Sequence, residues 1–100
     1  MNEIIINDIK LKHQELTYYL TKLFEKRIFD DDPLNVFYKE VKKHLPKLTQ
    51  NSPDNLQNYH SFIRLSYTWI NSAIEDSDKE IFNRTLNKIL NETIYILEKY

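Results

Sequence analysis

Apolar residues recur at every third or fourth position along almost the whole chain, which is the spacing of amphipathic α-helices. The first stripe predicts a helix from about Glu3 to Ile28. Its apolar members are Ile5, Ile9, Leu16, Leu20 and Leu23. Three later stripes predict three more helices. The second stripe is Leu34, Phe37, Tyr38, Val41, Leu45 and Leu48; the third is Leu56, Tyr59, Ile63, Tyr67, Ile70 and Ile74; and the fourth is Ile81, Phe82, Leu86, Ile89, Leu90, Ile94 and Leu97. The predicted fold is therefore all-α, an antiparallel four-helix bundle that occupies residues 1–100 as a single domain.

Two features refine the predicted arrangement of the helices. Pro46 lies within the second stripe, and proline removes a backbone donor and disfavours helix at the preceding residue. The second helix is therefore expected to stop near His44 or to kink there. The third segment carries a second apolar stripe, made of Phe62, Leu65 and Trp69, on another face. Because a helix that is apolar on two faces usually lies centrally, the third helix is expected at the centre of the bundle.

Polar residues mark the predicted starts of three helices. Ser77, followed three residues later by Glu80, has the pattern of a capping box with Ser77 as the N-cap. Ser52 is likewise predicted to cap the third helix. In the run Asp30–Asp32, the last residue is predicted to cap the second helix, and the other two lie near the positive end of its dipole. A metal site is the alternative, but protein oxygen ligands are usually spaced along a glycine-containing loop, so we interpret the run as a helix start.

The composition limits the chemistry that the chain can perform. It contains no glycine and no cysteine, which excludes glycine-rich phosphate loops, disulfides and thiolate metal sites. Without glycine, the corners between helices are expected to be turned by Asn or Asp. The imidazoles are His13, His44 and His60, and no two of them have the spacing of a helical metal pair. We therefore predict a non-enzymatic protein with no metal and no cofactor.

The charge pattern contains one basic patch. The net charge is −1, so the overall balance does not call for nucleic acid or an acidic partner. Lys39, Lys42 and Lys43 share the helix face opposite Val41 and Leu45. They are candidates for contact with phosphates, either of nucleic acid or of lipid headgroups, and the alternative is a solvated helix face.

Aromatic residues are numerous, and 7 of them are tyrosines. Tyr18, Tyr95 and Tyr100 fall outside the main apolar stripes and are therefore expected to be exposed. Exposed tyrosines are favoured at protein interfaces, because they contribute contact area at a low cost in conformational entropy. This pattern favours binding of a protein partner.

The sequence also bears on cellular location. The N-terminal stretch MNEIIINDIKLK lacks the basic start and the long apolar run of a signal peptide. No stretch approaches the roughly 18 apolar residues needed to cross a bilayer. Because cysteine is absent as well, the sequence fits a reducing compartment. We expect a cytoplasmic protein, with peripheral contact at the inner face of the membrane as a further expectation.

Four stretches follow one another in an order that resembles a known family. They are LTKLFEKRIFDDDPLNVFYKEVKKHLPKL, the proline-bearing turn TQNSPDN, the aromatic-rich LQNYHSFIRLSYTWINSAI and the acidic-start DSDKEIFNRTLNKIL. In this order, and at positions such as Arg64, Leu65, Tyr67, Arg84 and Leu86, the chain resembles the immunity proteins of pediocin-like (class IIa) bacteriocins, in particular the enterocin A immunity group. The resemblance covers about residues 16–97. The sequence departs from many members of that family in ending within the fourth helix.

The resemblance implies a cytosolic four-helix bundle that protects a bacteriocin producer. Such proteins are thought to recognise the bacteriocin bound to its receptor, the membrane part of a mannose phosphotransferase permease, and to block the pore. Specificity in the family lies in the C-terminal half. This implies a partner-binding surface on the third and fourth helices, with Arg84, Lys88, Tyr95 and Tyr100 as candidate contacts.

Two other functions stay open on the sequence alone. The first is a small phage- or plasmid-encoded regulator or inhibitor that binds one cytosolic protein. The second is a nucleic-acid-binding helical domain, which the net charge and the lack of a glycine-containing helix-turn-helix disfavour. Nucleic acid is therefore not the expected partner.

Overall fold

The computed structural model describes residues 2–48 and 53–99, and these residues form four α-helices. They are α1 (Asn2–Lys26), α2 (Asp32–Leu48), α3 (Pro53–Asp76) and α4 (Lys79–Lys99). Residues 27–31 join α1 to α2 and residues 77–78 join α3 to α4, and such short connections make successive helices antiparallel neighbours. The predicted all-α fold, an antiparallel four-helix bundle, is confirmed. Within the described ranges, no helix combines the length and apolar content needed to cross a membrane.

One cluster of buried apolar side chains receives contributions from all four helices. The stripes that predicted the helices supply most of it. Its members are Ile9, Leu16 and Leu20 from α1; Leu34, Phe37, Val41 and Leu45 from α2; Tyr59, Ile63, Ile70, Ala73 and Ile74 from α3; and Phe82, Leu86, Ile89, Ile96 and Leu97 from α4. Full burial of a large apolar side chain stabilises a fold by about 1.5–3 kcal/mol, so the packing of these stripes is the main source of stability.

The helix with the most extensive packing is α4, which contacts all three others, as α2 also does. The helix α3 packs mainly on α4 and touches α2 along a shorter seam. The expectation of a central α3 is therefore wrong. Phe62 is partly buried, but Leu65 is 53% exposed and Trp69 is 38% exposed. The first stripe of α3 already meets the core, so the second stripe lies along the outside of the α3–α4 seam.

The helix α1 ends in a Schellman motif, in which two amides beyond the helix bond back to carbonyls of its last turn. The Ile28 amide donates to the Leu23 carbonyl at 3.0 Å. The Arg27 amide donates to the Phe24 carbonyl at 3.1 Å, and Arg27 has a φ of 55°. Glycine adopts this left-handed conformation with less strain, but the chain has none. The helix therefore stops at Lys26, two residues before the predicted end.

The same motif ends α3, with Ser77 at a φ of 55°. The Asp78 amide donates to the Ala73 carbonyl at 2.9 Å, and the Asp78 carboxylate accepts a hydrogen bond from the Ile81 amide at 3.1 Å. Asp78 is therefore the N-cap of α4, and the prediction of Ser77 as the cap is wrong because Ser77 terminates α3. Arg27 Nε donates to Ser77 Oγ at 2.8 Å, which links the two left-handed residues. Arg27 and Ser77 therefore occupy the left-handed positions between helices where Asn or Asp was expected.

The acidic run before α2 caps that helix through a different residue from the one predicted. The Asp30 carboxylate accepts a hydrogen bond from the Asp32 amide at 3.0 Å. The Asp31 carbonyl accepts the first helical bond, from the Asn35 amide at 2.9 Å. Asp32 already lies within the helix, so the prediction that it is the cap is wrong. The interpretation of the run as a helix start is confirmed. Ser52, the predicted cap of α3, lies outside the described residues.

The other end of α2 also differs from the prediction. The helix passes Pro46 and continues to Leu48, so the expected stop near His44 is wrong, and the alternative of a kink there stays a prediction. Near the end of a helix, proline removes only one backbone donor, and few residues depend on the turn that follows. Leu45 is fully buried in the core, and its packing holds this last part of α2 in place.

The buried polar side chains of the core all have hydrogen-bond partners. The hydroxyls of Ser66, Thr85 and Thr93 each donate to a carbonyl one helical turn earlier. His13 Nε2 lies 2.8 Å from the carbonyl oxygen of Leu86. In the described part of the chain, every buried side-chain nitrogen and oxygen has a partner. Because an unpaired buried polar group is costly, these bonds favour one packing of the helices over its alternatives.

Candidate protein-binding face

Exposed apolar side chains gather along the outer side of the seam between α3 and α4. Leu65 and Trp69 come from α3, and Ile81 (43% exposed) and Tyr95 (61% exposed) come from α4. Ile81 belongs to a stripe predicted to be buried, so that expectation is wrong at this position. We define the α3–α4 face by its residues Phe62, Leu65, Trp69, Ile81, Arg84, Lys88 and Tyr95. Exposed aromatic and aliphatic side chains beside arginine are typical of protein interfaces.

At one end of this face, Trp69 borders a depression of about 340 Å³, here called the Trp69 depression. Its lining residues are Trp69, Ile81, Arg84, Thr85 and Lys88. Lys88 Nζ lies 5.1 Å from the centre of the Trp69 ring, a cation–π contact. An Arg84 guanidinium nitrogen donates to the Glu80 carboxylate at 2.7 Å. Both side chains of that pair are largely exposed, so it contributes little to stability. The depression therefore has apolar walls and a basic rim.

At the other end, Tyr95 borders a second depression of about 230 Å³, here called the Tyr95 depression. Its lining residues are Asn58, Tyr59, Phe62, Glu92, Tyr95, Ile96 and Lys99. The Tyr59 hydroxyl is hydrogen-bonded to Thr93 Oγ1 at 2.8 Å, and burial raises the pKa of Tyr59 far above its usual value. Tyr59 is therefore a fixed, neutral part of the wall. Glu92 and Lys99 give this depression a rim of mixed charge.

The predicted partner contacts converge on the α3–α4 face. Arg84, Lys88 and Tyr95 all border one of the two depressions, and Tyr100 lies outside the described residues. Their role in binding stays a prediction. Trp69 also borders this face, although its spacing on α3 predicts a buried stripe. The feature that points to it in the sequence is that second apolar stripe of α3.

The lysines predicted to contact anionic groups are exposed on α2, but they do not form an isolated basic patch. Lys39, Lys42 and Lys43 all face solvent. Lys43 Nζ donates to the Glu40 carboxylate at 2.8 Å, and Lys42 Nζ lies 5.4 Å from the centre of the Tyr38 ring. The hydrogen bond from Lys43 lowers the pKa of Glu40, so the carboxylate stays charged and offsets part of the positive charge. Contact of these lysines with anionic lipid stays a prediction.

The three aspartates before α2 bring exposed carboxylate oxygens within 4.8 Å of one another. Asp30 and Asp32 also border a depression of about 250 Å³ between α1 and α2, together with Lys12, Glu15, Leu16, Tyr19, Pro33, Val36 and Phe37. The Asp30 carboxylate is already engaged by the Asp32 amide. Firm binding of a hard cation needs six to eight oxygen ligands. The geometry therefore supports capping as the role of this run.

His13 is buried among three helices and has a structural role. Its Nε2 lies 2.8 Å from the Leu86 carbonyl of α4, and its ring meets the Phe37 ring of α2 edge-on, with centroids 5.9 Å apart. Burial lowers the pKa of His13. The neutral ring donates to the Leu86 carbonyl in the tautomer that carries its proton on Nε2. His13 therefore joins α1, α2 and α4 inside the bundle.

Comparison with known proteins gives no family for this chain. No protein-family model, no curated protein and no solved structure matches it. The resemblance to bacteriocin immunity proteins therefore stays a prediction. The α3–α4 face is the feature of the structure that bears on function.

Proposed function

We propose that this protein is a non-enzymatic, cytoplasmic binding protein that holds one protein partner on the α3–α4 face. The main support for the proposal is that the predicted contacts and the exposed apolar side chains lie on the same surface. Arg84, Lys88 and Tyr95, which the resemblance implies as contacts, lie along the same seam as the exposed Leu65 and Trp69. Aromatic residues and arginine contribute a large share of the binding energy at protein interfaces, which makes this face suited to a partner.

The specific role that we propose is immunity to a pediocin-like bacteriocin. The α3–α4 face belongs to the C-terminal half of the chain, which is the half where the resemblance implies specificity. The partner would be a mannose phosphotransferase permease that carries the bacteriocin. Occupation of the permease from the cytoplasmic side would block the pore and protect the cell.

Expression in a bacteriocin-sensitive strain tests this role. Cells that contain the protein and cells that contain an empty vector would be challenged with a panel of pediocin-like peptides. We expect resistance to one or a few of the peptides, because specificity resides in a single binding face. Unchanged sensitivity to the whole panel, with normal amounts of folded protein in the cells, would refute the immunity role.

Affinity capture separates the immunity role from the alternative of a cytosolic regulator. A cytosolic enzyme captured by the wild type and lost with Leu65→Asp would favour a regulator or inhibitor. A permease recovered only after bacteriocin treatment would favour immunity. Leu11→Asp is the matched control, since Leu11 is exposed to a similar degree but lies on α1.

A further inference from the structure

The two depressions of the α3–α4 face have the spacing of anchor residues on one helix. Phe62 borders the Tyr95 depression and Trp69 borders the Trp69 depression. These two residues are seven positions apart on α3, which corresponds to about 10 Å along a helix axis. Residues i and i+7 of a second helix, laid along the seam, would repeat that spacing. Leu65 stands between the two depressions and is exposed, so it could contact a residue at i+3 or i+4 of such a helix.

A helix is a better occupant of this seam than the other recognised forms of ligand. An added β-strand requires a sheet edge, and residues 2–48 and 53–99 form no strand. Of the two depressions, the one of about 340 Å³ lies just above the lower end of the range for small-molecule pockets and the one of about 230 Å³ lies below it, since that range is about 300–1,000 Å³. A seam between two antiparallel helices that carries exposed apolar side chains and two separate depressions fits the helix-in-groove mode of recognition.

The charges on the α3–α4 face favour a partner helix with acidic residues and determine which end of that helix lies at the Trp69 depression. The Trp69 depression is lined by two cations, Arg84 and Lys88, and by no acidic residue. Arg84 donates to the Glu80 carboxylate in a largely exposed pair, while Lys88 lies over Trp69. A carboxylate beside the anchor that enters this depression would therefore meet complementary charge. The rim of the Tyr95 depression carries both Glu92 and Lys99, so it does not favour an acidic residue on the partner helix. The acidic end of the partner helix is therefore expected at the Trp69 depression.

We propose that the α3–α4 face binds an amphipathic helix of a protein partner that inserts apolar residues i and i+7 into the two depressions and sets acidic residues beside Arg84 and Lys88. This inference rests on the proposed function only in taking the α3–α4 face as the binding surface. It adds the secondary structure, the anchor spacing and the charge of the partner segment. An anionic membrane surface is the competing occupant, but a lipid surface would make no use of two separate depressions with the spacing of residues i and i+7.

Trp69 provides a built-in reporter for a direct test. It is the single tryptophan of the chain and is partly exposed. A helix that covers it would remove water from the indole and shift its emission to shorter wavelength. The full-length protein would be titrated with two synthetic tryptophan-free amphipathic peptides. Both carry leucine at i and i+7, and they differ only at i−1 and i+1, which are Glu in one peptide and Lys in the other.

We expect the Glu peptide to shift Trp69 emission and to bind at least ten-fold more tightly than the Lys peptide, with the difference shrinking as salt is added. Lys88→Glu should reverse the order of the two peptides. Leu65→Asp should weaken binding of the Glu peptide, whereas Leu11→Asp should not. Circular dichroism would confirm that each variant keeps its helical content.

Three results would overturn the inference. The first is equal binding of both peptides, and the second is the absence of any emission shift. The third is a shift with phosphatidylglycerol vesicles but not with the Glu peptide, which would identify a lipid surface instead. Absence of peptide binding in a protein that still protects cells from bacteriocin would refute this inference alone. Binding of the Glu peptide by a protein that confers no protection would refute only the immunity role.

Discussion

Protonation of His13 is expected to make the stability of the bundle depend on pH. The imidazole is buried, Nε2 lies 2.8 Å from the Leu86 carbonyl, and burial lowers the pKa of His13 in the folded protein. The unfolded chain takes up a proton at the ordinary histidine pKa of about 6.5. Below that pH the unfolded state binds more protons than the folded state, so the free energy of unfolding falls as the pH falls.

The size of this effect follows from the linkage between proton binding and folding. If His13 stays neutral in the folded protein, acidification from about pH 7 to about pH 5.5 lowers the free energy of unfolding by about 1 kcal/mol. The steepest slope that one such group can give is about 1.4 kcal/mol per pH unit. The Glu40 carboxylate, whose pKa is lowered by Lys43, loses its contribution only at more acidic pH.

Urea denaturation of the wild type and His13→Gln across this pH range measures the effect. Glutamine can donate a hydrogen bond to the Leu86 carbonyl but does not titrate. We expect His13→Gln to lose most of the pH slope, whatever its stability at neutral pH. The control is His60→Gln, which removes an exposed imidazole. An unchanged slope in His13→Gln, or a slope abolished by His60→Gln, would refute the assignment.

Three further substitutions test the fold by the free energy of unfolding in urea. Tyr59→Phe removes the hydroxyl bonded to Thr93 Oγ1 at 2.8 Å, so we expect a loss of about 1 kcal/mol. Asp78→Ala removes the N-cap of α4, and we expect a loss of about 1 kcal/mol. Arg84→Gln breaks the pair with Glu80, and because both side chains are largely exposed we expect a change within about 0.5 kcal/mol.

Matched controls separate these effects from the general cost of substitution. Tyr18→Phe removes a hydroxyl from an exposed ring, and a loss as large as that of Tyr59→Phe would show that the core hydrogen bond is not the cause. Asp76→Ala removes an exposed carboxylate near Asp78, and an equal loss there would contradict the capping role. A loss above about 1 kcal/mol for Arg84→Gln would contradict the weak ion pair.

The number and nature of the helices could be predicted from the sequence, but some of their ends could not. Helical spacing of apolar residues depends only on the order of residues, so it is visible without coordinates. The ends depend on which residue takes a left-handed conformation. In a chain without glycine, Arg27 and Ser77 take it, and neither is a residue that propensity selects for that conformation. Asp78 then became the cap of α4 in place of Ser77.

The candidate face was only partly predictable for a related reason. Arg84, Lys88 and Tyr95 lie away from the main apolar stripes, so their exposure could be expected. Trp69 and Leu65 have the spacing of a buried stripe, and periodicity shows that a helix has two apolar faces without showing whether a second helix covers each one. Because α3 packs mainly on α4 and has only a shorter seam with α2, those two side chains remain exposed. Only the packing of the bundle determines that outcome.

The most direct test of the central claim is a survival assay in a bacteriocin-sensitive strain that expresses wild type, Leu65→Asp or Leu11→Asp at equal levels. Both substitutions place a charge at an exposed leucine, but only Leu65 lies on the α3–α4 face. We expect wild type and Leu11→Asp to protect the cells and Leu65→Asp to leave them sensitive. Equal protection by all three proteins, or protection by none of them, would contradict it.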